Sequence, residues 1–530
     1  MYSHNVVNAA SYMQQGLPGG GIAQGSIFSI FGSGLGPAQG VSASSFPLNT
    51  TFSGTSIAVS QGATSVSVIP IYVSSGQINA IMPSNAPLGL DSLRVTSSNG
   101  RSNAVPVQVV ASAFGIFSAN SGGTGPGILQ NYIAADNQPI NSPTIAAQPG
   151  QTIILWGTGL GPVSYGDDVA PTPGNLPTKT EVFVGGQPAQ VTYNGRASCC
   201  SGTDQINFVV PSNAPLGCWV PVHVRTGGVN ISNFVTMSIQ ANDTTCSDTI
   251  NPLVNTLVSG GNMGAVAVVR ETTHEDVGTA ETTDVATDFA VAGFSNISTT
   301  PFPFHPALSL PPPGTCTEYT GHADLLNANF VGLATPPGGT TLNAGTLTLT
   351  GPPGATNLAA VFQNYQGSLF GSSVGGSSVS GSLSLNPGKY TVQGGGTDVG
   401  SFTATLNVPQ AITWTNRDQL TEVNRSEPLT ISWSGAGPSD IVGVVGFGLD
   451  PPTNSGTAFA CLAQPGASSF TVPADVLTNL PATEQYVSNS TDVIYLVSVP
   501  QSAMAAISAG GLDTGVALFA YVNGKTVIFQ

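Results

Sequence analysis

The chain has 530 residues, of which only 7% are charged and 40% are hydrophobic, and its net charge of −16 comes from having just 10 Lys and Arg. A surface so poor in cations repels phosphate backbones and anionic headgroups, which argues against nucleic-acid and membrane-surface binding. Solubility must rest on Ser, Thr, Asn, Gln and Gly, as on a secreted β protein, and no apolar run approaches the ~20 residues that span a bilayer.

At the N-terminus, Val6 to Ser11 lead into the first strand with neither a charged n-region nor an apolar h-region. Either a signal peptide has been removed or export is not encoded in these residues. Gly25-Ser-Ile-Phe-Ser-Ile-Phe-Gly-Ser-Gly-Leu-Gly-Pro37 then returns as Gly150-Gln-Thr-Ile-Ile-Leu-Trp-Gly-Thr-Gly-Leu-Gly-Pro162. Gln77-Ile-Asn-Ala-Ile-Met-Pro-Ser-Asn-Ala-Pro-Leu-Gly89 likewise returns as Gln205-Ile-Asn-Phe-Val-Val-Pro-Ser-Asn-Ala-Pro-Leu-Gly217. A unit repeating at about 125 residues has the size of a domain, so duplication sets the architecture first. Ile27 to Phe31 and Ile153 to Trp156 are apolar on both pleat faces, which suits a strand deep in a sandwich. The Gly-x-Gly-Leu-Gly-Pro that follows is a turn, since Gly admits left-handed backbone and Pro removes a ladder donor. Each copy closes on an alternating strand, Val105 to Val110 and Phe234 to Ile239, so residues 1–112 and 113–240 each read as one small β-sandwich.

Beyond Gln240 the repeat stops. Residues 241–409 form a β-rich domain with strands at Ala265 to Val269, Thr346 to Thr350 and Phe402 to Val408. Residues 410–530 form a C-terminal β-sandwich with strands at Leu429 to Trp433, Ser469 to Val472, Val493 to Val499 and Ala517 to Val522, and the chain ends in a final strand. Short helical turns are expected at Pro473 to Asn479 and at Ser502 to Ile507.

The six cysteines, Cys199, Cys200, Cys218, Cys246, Cys316 and Cys461, follow no metal-type spacing and read as disulfides in an oxidising compartment. A bridge from Cys199 or Cys200 to Cys218 is expected, because these flank one strand while bonding the adjacent pair would strain the backbone. The other pairings among the 15 possible stay open.

Candidate chemistry is sparse. Gly371-Ser-Ser-Val-Gly375 fits a nucleophile elbow that would present Ser373, but it sits in a Ser/Gly tract with no following helix. The acidic stretch containing Glu271, Glu275 and Asp276, continuing through Glu281, Asp284 and Asp288, offers oxygen ligands for calcium without the order of an EF-hand loop. Its bland alternative is a solvated strand or loop. His274 belongs to no His-Glu-x-x-His signature, and His305 and His322 flank Cys316 at no known zinc spacing. Tyr319, Tyr390, Trp414 and Trp433 could form a sugar platform, although Trp433 alternates with Leu429 and Ile431 and so reads as core. A carboxylate pair for glycoside hydrolysis need only converge in space, and no acidic residue stands out in such a setting.

The phrases Val6-Val-Asn-Ala-Ala-Ser-Tyr12, Ile22 to Gly32, Ser75-Gly-Gln-Ile-Asn79, Gly157 to Pro162 and Val184-Gly-Gly-Gln-Pro-Ala189 resemble a repeat of exported acidobacterial (Solibacter-type) proteins of unassigned activity, over residues 5–240. More loosely, each unit is similar to IPT/TIG immunoglobulin-like domains. The resemblance implies an all-β chain of tandem Ig-like sandwiches followed by two further β-sandwich domains, secreted or at the cell surface. The expected function is a non-enzymatic structural, adhesive or ligand-binding scaffold. Alternatives are a carbohydrate-binding or carbohydrate-active protein with residues 241–530 as its active part, and a filament subunit built by edge-strand pairing. The expected partners are polysaccharide or another cell-surface protein.

Overall fold

Two periodicities in each repeat, alternation along strands and glycine at their ends, translate directly into structure. The computed structural model describes residues 5–248, 250–276, 282–322, 339–352, 354–361, 364–368, 385–483 and 492–530. The chain is all-β, with tandem Ig-like sandwiches. In the first repeat the strand Ile27–Phe31 runs antiparallel between Val6–Asn8 and Gln77–Ile81. Phe28 and Ile30 enter a core shared with Ile78, Val59, Leu93 and Val107. The opposite face buries Ile27 with Ile69 and Ile81, which is why this strand is apolar on both sides. Gly159 and Gly161 take φ of 111° and 128°, left-handed values that end the equivalent strand of the second repeat.

The same pairing order recurs in both repeats. Thr64–Val73, Thr55–Gln61 and Gly89–Ser97 follow Gln77–Ile81 in the first, as Gln187–Arg196, Thr180–Val184 and Gly217–Thr226 follow Asp204–Val209 in the second. Even the register shift is repeated, at Pro70/Tyr72 and at Val191/Tyr193.

Residues on both sides of position 409 share one 14-stranded sheet. Gly261–Asp276 lies antiparallel to Thr282–Ile297 and parallel to Thr514–Thr526, and Thr315–His322 pairs with Ser455–Leu462. Two apolar cores pack against this sheet, one around Phe294, Tyr390 and Phe519, the other around Trp414, Trp433 and Phe459.

Two expectations are corrected, and one short element has no counterpart in the sequence reading. Ser502 to Ile507 is not a helical turn throughout: a 3-10 turn at Gln501–Ala503 gives way to Met504–Ala506, which pairs with the long strand Thr514–Thr526. A short helix at Val254–Ser259 carries too few residues for a visible helical period. The disulfides join Cys199 to Cys200, Cys218 to Cys246 and Cys316 to Cys461. Cys199 and Cys200 are exposed at the tip between two strands, whereas Cys218 is buried beside Trp219 and Ala146, facing Cys246. Flanking one strand in sequence did not bring Cys218 to the loop.

The loop carrying Cys199 and Cys200 is closed at its base by a buried ion pair, Arg196 to Asp204, 3% and 0% exposed. The Arg196 guanidinium also donates to the carbonyls of Gly25 (2.8 Å) in the first repeat and Gly161 (2.7 Å) in the second. Asp204 accepts from the backbone N–H groups of Gly159 (2.7 Å) and Leu160 (2.8 Å). Thr158 extends the seam, accepting from Ile27 N and donating to Gly202 O. Replacing a buried ion pair by hydrocarbon is often neutral. Here it would strand four backbone groups, so the pair is not dispensable.

A second junction ties the second repeat to the C-terminal half. His223 is stacked between Phe183 and Phe234, and its Nε2 meets Asp475 at 3.2 Å. Arg225 bridges Asp475 and Glu181, both at 3.1 Å. Beneath them Glu318, 2% exposed, accepts from Asn479 (2.8 Å) through one oxygen while the other has no partner among the described residues. Burial pushes the Glu318 carboxyl well above the usual carboxylate range, and burial likewise pushes His223 down.

Arg196→Met is expected to cost about 3–5 kcal/mol in urea unfolding, with no recovery when Asp204→Leu is added; recovery would show that the backbone groups do not depend on the pair. Because the folded Glu318 pKa is raised, the native state keeps a proton that the unfolded chain releases, and stability falls as pH rises above about 4.3. Glu318→Gln should therefore gain about 1–3 kcal/mol at pH 8 and little at pH 4. His223 has the opposite sign, its contribution being lost as pH falls below about 6.5. Equal effects of Glu318→Gln at both pH values would refute the assignment to ionisation.

Candidate functional site

The seam between the repeats leaves a cleft of about 290 Å³ open to solvent. One wall is a turn built on Asn8, whose Oδ1 accepts from Ala10 N (2.8 Å) and Ser11 N (3.2 Å) while Tyr12 N donates to Asn8 O (3.0 Å). This winding holds Tyr12 at φ 55°. The opposite wall is the turn Ser118 to Gly123, in which Asn120 Oδ1 accepts from Gly122 N (3.0 Å), Ser118 Oγ accepts from Gly123 N (2.9 Å), and Ser121 sits at φ 53°. Gly123 packs against the carbonyl of Ser11 so closely that a Cβ there would collide with it. The walls thus brace each other, one from each repeat.

Two of the four left-handed non-glycine residues among those described lie in this cleft, and a bulky residue such as Tyr12 adopts that conformation only when its surroundings impose it. Tyr12 stacks on Phe31 with ring centroids 6.5 Å apart, and burial raises its phenol pKa above 10. Phe117 contributes a second ring from the other repeat.

The floor comes from the first repeat's outer sheet face. Asn79 Oδ1 accepts from both Ser29 Oγ (3.0 Å) and Gln77 Nε2 (2.9 Å), which orients the amide, and its nitrogen has no partner among the described residues. The clasp of Gln77 on Asn79 is repeated by Gln205 on Asn207 (2.8 Å), but there the strand partner is Ile154 rather than a serine. Among the described residues no Asp, Glu, Lys, Arg or His lines the cleft, so it offers aromatic faces and neutral hydrogen-bonding groups.

The candidates from the sequence lie elsewhere. Glu271, on Gly261–Asp276, accepts from its neighbour Thr273 (3.3 Å), while the side chains of Glu275, Asp276 and Asp284, together with Glu281 and the Gly371 to Gly375 tract bearing Ser373, lie outside the described residues. Asp288 instead faces Arg270 at 3.6 Å. Among the described residues no three His, Cys, Asp or Glu side chains converge as a metal site. Cys316 is disulfide-bonded to Cys461 and so offers no thiolate, His305 is buried, and the His322 side chain is outside the described residues. Tyr319, Tyr390, Trp414 and Trp433 are all buried, which removes the proposed sugar platform. Asn79 lies in the duplicated Gln-Ile-Asn phrase and Tyr12 closes the phrase Val6 to Tyr12, and neither stands out in the sequence; the signal at Asn79 is its strand partner Ser29, polar where the second copy has Ile154.

No protein-family model and no curated relative matches the sequence. Among solved structures, an I-band fragment of titin is similar at 8% identity over 73% of this chain and 95% of that one, with a TM-score of 0.11. SGBP-B from a complex xyloglucan utilization locus of Bacteroides uniformis shows 9% identity over 93% and 92%, TM-score 0.16. Domains 4–9 of the surface layer protein SbsC show 10% identity over 96% and 63%, TM-score 0.17. At such scores these likenesses carry no functional argument. No helix among the described residues is long and apolar enough to cross a membrane.

Ser121 is exposed and its conformation suits glycine, so Ser121→Gly should raise the unfolding free energy by up to about 1 kcal/mol. A loss of stability would mean the Ser121 side chain is itself needed to hold the turn.

Proposed function

We propose that this protein is an exported, non-enzymatic binding scaffold in which the two Ig-like repeats act as one rigid body that presents a ligand at their junction. The observation that carries this reading is the seam itself: its buried charged and backbone groups around Arg196 and Asp204 are mutually satisfied, while the adjoining cleft keeps an oriented amide donor with no partner among the described residues. A protein needing only a spacer has no use for such a cleft, and a described lining whose one titratable group is the Tyr12 phenol suits binding. Three disulfides support an oxidising compartment outside the cytosol. Within this proposal residues 5–240 belong with the acidobacterial exported repeats that their motifs resemble, and the remaining sheet serves as a carrier. The cleft moves the expected ligand site from residues 241–530 into the duplicated half.

Small-angle scattering of the full chain should give one rigid envelope whose first two repeats do not reorient, and Arg196→Met should increase the apparent flexibility. Incubation with soluble polysaccharides should release no reducing ends. A flexible wild-type chain, or release of reducing ends, would overturn the proposal.

A further inference from the structure

The junction cleft has a chemical character narrow enough to indicate its ligand class. It is uncharged, so nothing in it repays the desolvation of an ionic ligand. Its floor and sides mix hydrocarbon from Ile27 and Ile71 with the rings of Tyr12 and Phe117. Its polar groups are an amide donor at Asn79 and hydroxyls at Tyr12 and Ser121, for which no partner is present among the described residues. Hydroxyls both donate and accept, so the complementary ligand is neutral and rich in groups that do the same.

A flat heteroaromatic ring would satisfy the aromatic surface but not the hydroxyls. A pyranose ring satisfies both sides at once. Its C–H face carries slight positive charge suited to the negative face of an aromatic ring, and its rim presents hydroxyls to Asn79 and Ser121. The volume of about 290 Å³ lies at the small end for ligand pockets, which suits one or two rings and not the interior of a long polymer.

We propose that the cleft between the repeats is a binding site for a neutral sugar ring, held by Tyr12 and Phe117 on its faces and by Asn79 and Ser121 at its rim. This rests on the scaffold reading above and names its ligand. The left-handed turns at Tyr12 and Ser121 serve the same end: they fix the wall groups before the ligand arrives, so less ordering is required on binding.

The test is saturation-transfer difference NMR on the full chain with neutral methyl glycosides of glucose, galactose, mannose and xylose and with short gluco- and xylo-oligosaccharides. Adenosine and an N-acetyl amino-acid amide serve as uncharged non-sugar probes. At least one sugar is expected to receive saturation at its ring C–H protons, with a Kd on the order of millimolar for a single ring. Asn79→Asp keeps the oxygen that Ser29 and Gln77 hold and removes the donor; it should weaken binding at least tenfold without changing the melting temperature. Tyr12→Phe should weaken it less, and Ser373→Ala not at all. Absence of transfer to every sugar, preference for adenosine or the amide, or indifference to Asn79→Asp would overturn the proposal. In those cases a rigid scattering envelope without released reducing ends would leave the scaffold reading standing.

Discussion

The arrangement of the first 240 residues depends on the contact between Arg196 and Asp204. The guanidinium reaches carbonyls in both repeats, and the carboxylate gathers the two N–H groups that follow the strand Thr152–Thr158. In a chain with so few charges, placing one pair out of water at a domain seam is a costly use of it. The cost is offset because the pair also meets four backbone groups, the carbonyls of Gly25 and Gly161 and the N–H groups of Gly159 and Leu160, that would otherwise lose their partners. These contacts hold the two repeats at the seam, and the cleft lies beside them.

Duplication made this possible. Both repeats carry the same strand order, the same register shift and the same Gln-on-Asn clasp. Once the backbone is held by turns and pairing, single positions are free to diverge, and Ser29 against Ile154 is one such divergence. The first copy places a hydroxyl beside Asn79; the second places hydrocarbon beside Asn207.

Local features were legible in the sequence. Ile27–Phe31, Val105–Val110 and Phe402–Val408 begin and end where alternation and turn residues place them, because both signals act over a few residues. Trp433 was legible as core for the same reason. What required the fold was everything decided by which surfaces meet. Cys218 faces Cys246 and not the nearer pair, Trp414 is covered, and Tyr12 and Asn79, far apart in the chain, open onto one space. The common sheet uniting residues before and after position 409 rests on parallel pairing between distant strands, which no local pattern encodes.

The parallel neighbour of Gly261–Asp276 also orders events during synthesis. The two repeats complete their strand pairings from nearby residues, whereas this strand waits for Thr514–Thr526, which lies much further along the chain. Until then one long edge stands unpaired, the situation in which chains pair wrongly with one another. That edge carries Arg270, Glu271, His274, Glu275 and Asp276, the densest charge in the molecule. Charge placed along a strand edge is the arrangement that limits wrong pairing between chains while such an edge is open.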